Sequence, residues 1–420
     1  MFKSRKEIVL YNFLENNKNL PKQGSNEWLK ARLETIGGSE ISTVLGLNPY
    51  QNIKQLIKQK IGLTSFKKSA PLWFGNLFEN ILQNYTEKIF NTKVYETGSI
   101  SNDKTNLIKY SPDGLSIINK NNLLKVFPNL DIDQINSTSI FNNSSYKYNK
   151  DLLVLFEFKN PFMRVIKKNT IPTYYINQPV LGMEIIDICE FSIFIESVFR
   201  FCSFLDIIDL NNKYNTRYHY DKIRYSNMPL AFGCFSLYYE ITQNTNSEFN
   251  NLLNDINHYL YNSNIDHDDL SNISDKKIVN RILENIIDFK DIKIIYHDIC
   301  INDNNDNNKD NCNNEDNCNS IYLKNIDPDI IYFNKYNNIN KFLSDIHKNK
   351  ELISNNKQYQ YLGIMSFKMF DINIQPIYKK QILTNPLLDK LQKLINVIKL
   401  CNETNDTAKQ KKIIDNYEIK

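Results

Sequence analysis

Three charged residues give the first sign of chemistry. Asp113 follows a proline in Ser111-Pro112-Asp113-Gly114, and Glu157 and Lys159 stand two apart in Leu155-Phe156-Glu157-Phe158-Lys159. Residues 152–156 are all apolar, which predicts a buried strand whose period of two points Glu157 and Lys159 to one face. A carboxylate and an ammonium at the end of such a strand are costly to desolvate. Such pairs persist where ions or phosphates compensate them. Glu-x-Lys is also common on solvated strands and Asp-Gly is a turn dipeptide, so neither piece specifies a reaction alone.

Other candidates lie on the elements around that strand. Arg32 falls in a helix opening near Gly24, and Ser39 follows Gly37-Gly38 at the head of a short apolar segment. There Ser39 reads as an N-cap and Gly46 as the C-terminal stop. Backbone N–H groups at such a terminus bind anions, although capping alone accounts for the serine. Glu79 borders a helical stripe of Phe78, Ile81, Leu82, Tyr85 and Ile89, where it is either a surface glutamate or a group aimed at the site. Arg164, Lys167 and Lys168, just past the Glu-x-Lys strand, read equally as a solvated loop or as a local nucleic-acid surface.

Taken together, Asp113, Glu157-x-Lys159, the Arg32-to-Ser39 spacing of seven, the run from Gly37-Gly38-Ser39-Glu40-Ile41 to Gly46-Leu47-Asn48-Pro49-Tyr50, and Gly75-Asn76-Leu77-Phe78-Glu79 resemble the PD-(D/E)xK nuclease superfamily. Within it the chain is similar to the lambda-exonuclease or YqaJ-type viral recombinases. Tyr175, Gln178 and Met183 fall on a further family helix, with two departures: Val180 replaces a second glutamine, and Pro179 requires Gln178 to lie near the helix start.

The resemblance implies a fold and a set of roles. The fold is α/β, a restriction-endonuclease-like core with a central mixed sheet flanked by helices and a large insertion. Glu79, Asp113 and Glu157 would hold one or two Mg²⁺ or Mn²⁺ ions, since carboxylates without histidine or cysteine are hard oxygen donors. Lys159 would orient or deprotonate the attacking water, and Gln178 would help to position it. Arg32 and Ser39 would grip the 5′-phosphate of a DNA end.

The implied activity is a metal-dependent 5′→3′ exonuclease on linear duplex DNA, serving viral-type recombination or genome processing. A Cas4-like or structure-specific endonuclease, or a non-catalytic DNA-end-binding partner protein, are the alternatives. Implied partners are duplex DNA ends, a single-strand annealing protein and further copies of the chain in a ring.

Composition bounds the rest. In 420 residues, 51 Lys and Arg against 47 Asp and Glu give +4, so no overall basic field announces nucleic acid and any DNA surface must be local. Seven cysteines without a CxxC pair argue for a reducing compartment, and their spacing does not match an iron–sulfur set. No signal peptide or bilayer-length apolar run is visible, which predicts a soluble intracellular protein, in host cytoplasm or nucleus if viral.

Residues 1–204 are expected to hold the first part of the core, with an Asn-rich insertion at 119–150. A poorly matched insertion over 205–355 includes a disordered Asn/Asp tract at 302–319. Residues 356–405 supply two strands and a helix that complete the core, and 406–420 a polar tail.

Overall fold

The computed structural model describes residues 4–21, 25–64, 70–102, 105–142, 150–162, 164–202, 230–240, 292–296, 351, 355, 359–404 and 406–417. Helices α1 (Arg5–Asn17), α2 (Asn26–Leu33), α3 (Ile41–Val44), α4 (Ile53–Lys60) and α5 (Ala70–Phe90) come first, with strand β1 (Ile36–Gly37) between α2 and α3. Then follow β2 (Ile100–Asn102), β3 (Thr105–Tyr110), β4 (Gly114–Asn119), α6 (Lys120–Val126), α7 (Ile132–Thr138), β5 (Asp151–Lys159), α8 (Thr173–Ile185) and β6 (Phe191–Cys202). The described chain ends with β7 (Ala231–Glu240), β8 (Ile292–Tyr296), β9 (Tyr359–Tyr378), α9 (Asn385–Asn402) and α10 (Thr407–Asp415).

Six strands form a mixed sheet in the order β4-β5-β6-β9-β7-β8. β5 and β6 run parallel, as the intervening helix α8 requires, and the other neighbours are antiparallel. Helices cover both faces, so the chain has the mixed α/β architecture expected of it. The alternation along β5 sorts its side chains between two cores. Leu152, Val154, Phe156 and Phe158 pack under α5, while Leu153 and Leu155 pack under α8 and α9. Glu157 and Lys159 continue the second row, so their shared face is the one α8 covers.

A smaller sheet, β1-β3-β2, positions the N-terminal loop. β1 pairs in parallel with β3, placing Gly37 beside Lys109 and therefore the following Gly38 beside Tyr110. Residues 94–100 do not form one long strand: only β2 pairs with β3, and Tyr95 makes an isolated bridge to Leu115.

Four further expectations are corrected. The 119–150 stretch is not a plain polar insertion, because α6 and α7 lie within it and bury Leu123 and Ile135 in the core under α5. The two strands expected over 361–378 are one strand, β9, which absorbs Asp371 through a bulge where Phe370 is skipped in the pairing with β6. Pro179 lies inside α8 rather than near its start, since the helix begins at Thr173. The polar 406–420 segment contains α10, which an Asp406 cap starts and a buried Ile414 ties to the core. The 302–319 tract lies outside the described residues, as does most of 205–355; the described parts, β7 and β8, extend the sheet beyond β9.

Candidate active site

The C-terminal end of β5 gathers charge from three elements. Glu157 is fully buried, and its carboxylate accepts from the Lys159 ammonium and, at 3.0 Å, from the Tyr110 hydroxyl. Asp113 stands in the turn between β3 and β4, where its carboxylate accepts the Phe158 N–H at 2.7 Å and lies 3.8 Å from Lys159 Nζ. Lys159 therefore lies between two carboxylates, with its ammonium also 5.5 Å from the centre of the Tyr175 ring.

Glu79 arrives from the opposite face, half-buried on α5. The stripe predicted for that helix seats it: Phe78 is fully buried, stacked on Phe199 at 4.2 Å between ring centres. Near the start of α5, Asn160 at the end of β5 donates to the Gly75 carbonyl at 3.1 Å.

Burial and mutual repulsion set the electrostatics of these groups. Burial, then Asp113, pushes the Glu79 carboxyl up to about 8, with Lys159 opposing. Burial and Asp113 likewise raise Glu157 to about 7, against the pull of Lys159 and Tyr110. Asp113 is raised by burial despite Lys159 and the Phe158 N–H. Burial lowers Lys159, but Glu157 and Asp113 together outweigh it and the ammonium is held above its usual range. Two carboxylates thus share one ammonium, with a third in electrostatic reach, which leaves the cluster short of positive charge.

Among the described residues no three His, Cys, Asp or Glu side chains stand as a ready metal-ligating group. The donor set nevertheless fits a divalent ion: its atoms are hard oxygens, and a second cation would offset the burial, and then the repulsion from Asp113, that raise Glu79 and Glu157. The free thiols Cys189 and Cys401 are buried and take no part.

No motif singles out Tyr110, yet it is central. Its ring is fully buried between two glycines, Gly38 of the N-terminal loop and Gly182 of α8, and a Cβ on either would overlap it. Alanine at Gly182 is expected to lower stability by about 1–3 kcal/mol through overpacking, read as a drop in melting temperature.

Arg32 and Ser39 meet as their spacing suggests, Nη2 donating to Ser39 Oγ at 3.1 Å. Ser39 is not the N-cap. The 3-10 turn Gly38–Glu40 starts at Gly37, and the Glu40 carboxylate takes the Gly37 N–H at 2.8 Å. That N–H is therefore not open to an outside anion. Trp28, one turn before Arg32 on α2, was also missed: the guanidinium lies 4.6 Å from its ring centre, and its indole N–H donates to Ser111 Oγ at 3.1 Å, tying α2 to the Asp113 turn.

Gln178 is half-buried on α8, one turn beyond Tyr175, which borders Lys159. Of the three cations after β5, Arg164 pairs with buried Glu196 and lies 5.8 Å from the centre of the Tyr175 ring. Lys168 pairs with Asp371, and Lys167 is exposed. The loop is thus stitched to the sheet at two of its three charges.

These features sit in a recognisable frame. Residues 27–185 match the model of the YqaJ-like viral recombinase domain, the family that the motifs resemble, and all seven candidate residues lie within that stretch. The chain is similar to Protein D345L of African swine fever virus (strain Badajoz 1971 Vero-adapted), with 32% identity over 236 residues that cover 54% of this chain and 63% of that protein. The D345L of isolate Tick/South Africa/Pretoriuskop Pr4/1996 is 30% identical over 227 residues, 52% of this chain and 61% of that one. The chain therefore spans less than two thirds of the length of these relatives. Among solved structures, an alkaline exonuclease (LHK-Exo) from Laribacter hongkongensis overlaps 41% of this chain and 74% of that one at 20% identity and a TM-score of 0.29.

Proposed function

We propose that the protein is a Mg²⁺- or Mn²⁺-dependent nuclease that degrades linear duplex DNA from 5′-phosphorylated ends in viral recombination or genome processing. One observation carries the reading: within the stretch that matches the YqaJ-like domain, Asp113 and Glu157 flank a single ammonium at the end of β5, with Glu79 in electrostatic reach of all three. Glu79, Asp113 and Glu157 are the residues that would hold the ion. When bound, it supplies Lewis acidity toward the phosphate and its water.

The chain's own groups do the rest. With a cation on the carboxylates, Lys159 is no longer needed to neutralise them, and its three N–H donors can orient the water and meet the charge developing on phosphorus. Tyr110 fixes Glu157, and Gln178 flanks the water's position. Arg32 offers its remaining guanidinium donors to a terminal phosphate and Ser39 a hydroxyl. Relatives of viral origin support action inside a host cell. The family resemblance is the support for an annealing partner and a ring of copies.

The test is digestion of matched linear duplexes with and without a 5′-phosphate, alongside a closed circle. The expected result is nucleotide release from linear DNA with a phosphate preference that Arg32→Ala removes. Nicking or linearisation of the circle would instead favour the endonuclease reading. Tyr110→Phe, which keeps the ring and deletes one hydrogen bond to a buried carboxylate, is expected to slow hydrolysis about tenfold. An unchanged rate would remove Tyr110 from the account.

A further inference from the structure

We infer that Glu40 and Lys60 set the selectivity for a phosphorylated DNA end, as positioning residues that commit Arg32 Nη2 to the protein and leave Nη1 and Nε to the phosphate. This rests on the proposal that Arg32 and Ser39 receive that phosphate.

The Lys60 side chain is 4% exposed and that of Glu40 13%, so this is a built network rather than a surface ion pair. Glu40 Oε1 accepts from Arg32 Nη2 at 3.1 Å, while Oε2 accepts the Gly37 N–H at 2.8 Å and faces Lys60 Nζ at 2.7 Å. Lys60 spends its other two donors on the Arg32 and Thr35 carbonyls, on either side of the turn into β1. One ammonium thus ties together the end of α2, the residue before β1 and the carboxylate that steers the guanidinium.

Among the described residues every hydrogen bond of the Arg32 side chain leaves from Nη2, to Ser39 and Glu40. Nη1 and Nε, the donors on either side of that nitrogen, make none there. Trp28 supports one face of the group, and Gly37 approaches so closely that a Cβ there would lie 3.0 Å from Nη2.

The charge balance gives the network its purpose. An arginine facing an unshared buried carboxylate would be consumed as its counter-ion, and a phosphate would have to compete with Glu40. Lys60 satisfies Glu40 from the interior side. Arg32 then keeps charge and donors for the DNA end.

The experiment measures kcat/KM on linear duplexes with a 5′-phosphate or a 5′-hydroxyl and reads the ratio of the two. Lys60→Met and Glu40→Gln are each expected to lower that ratio about tenfold. The amide of Gln has one acceptor oxygen where the carboxylate uses two, so it must release either Arg32 or the Gly37 and Lys60 side. In an Arg32→Ala background, Lys60→Met is expected to change the ratio no further. If Lys60→Met does not fold, Glu40→Gln, which keeps the side-chain volume, decides alone. A wild-type preference that survives in the variants, or a loss equal on both substrates, overturns the inference. A wild-type ratio of one removes the end-phosphate reading as well, a distinguishable failure.

Discussion

Replacing Lys159 with alanine is expected to leave DNA bound and uncut. The ammonium is the one cation shared by Asp113 and Glu157, and it lies over Tyr175 where a phosphate could reach it. Loss of a positioned group of this kind lowers a rate by about 10²- to 10⁴-fold. DNA binding should persist, because Arg32 and the residues that hold it are on other elements. A second effect follows from the same geometry. Without the lysine, Glu157 is buried with no ammonium beside it, so the ion-free variant should melt below wild type, and Mn²⁺ should narrow the gap. A gel-shift assay, nucleotide release and thermal melting separate these effects. Hydrolysis within about tenfold of wild type would contradict the role given to Lys159.

Asp113→Asn should change stability in opposite directions with and without metal. The asparagine keeps the shape and can still accept the Phe158 N–H, but it removes one charge from a crowded cluster. In the ion-free protein, folding disfavours ionised Asp113 because burial outweighs its partners, so the neutral side chain should raise the melting temperature. With Mn²⁺ the order should reverse. An ion present at a hundred times its dissociation constant stabilises wild type by about 2.7 kcal/mol, and the variant should lose most of that gain. Hydrolysis should fall at least about 100-fold. A Mn²⁺-dependent rise equal to that of wild type would remove Asp113 from the ion site.

Much of this site was legible because local patterns and tertiary roles agree in it. The run over 152–156 announced a buried strand, and its period of two placed Glu157 and Lys159 together. The stripe through Phe78 and Ile81 announced the helix that carries Glu79. Where patterns misled, a long-range contact had decided the outcome. Ser39 has the chemistry of an N-cap, but Glu40, backed by Lys60 from α4, takes the backbone N–H instead. Pro179 breaks a local rule, yet Val180, Leu181 and Met183 after it are buried in one core and their packing holds α8 together. The Asn-rich composition of 119–150 hid the few apolar residues, Leu123, Leu130 and Ile135, that fasten α6 and α7 to the core. Tyr110 had no signal, because its role depends on Gly38 and Gly182, far away in sequence and adjacent only in space.

The central claim is that these carboxylates gather a divalent ion, and the most direct test is anomalous scattering from crystals grown with Mn²⁺. The account predicts a peak bonded to Asp113 and Glu157, within reach of Glu79, with the Lys159 ammonium withdrawn from Glu157. A site that stays empty in Mn²⁺ while Lys159 keeps its bond to Glu157, or an ion bound only elsewhere, would contradict it.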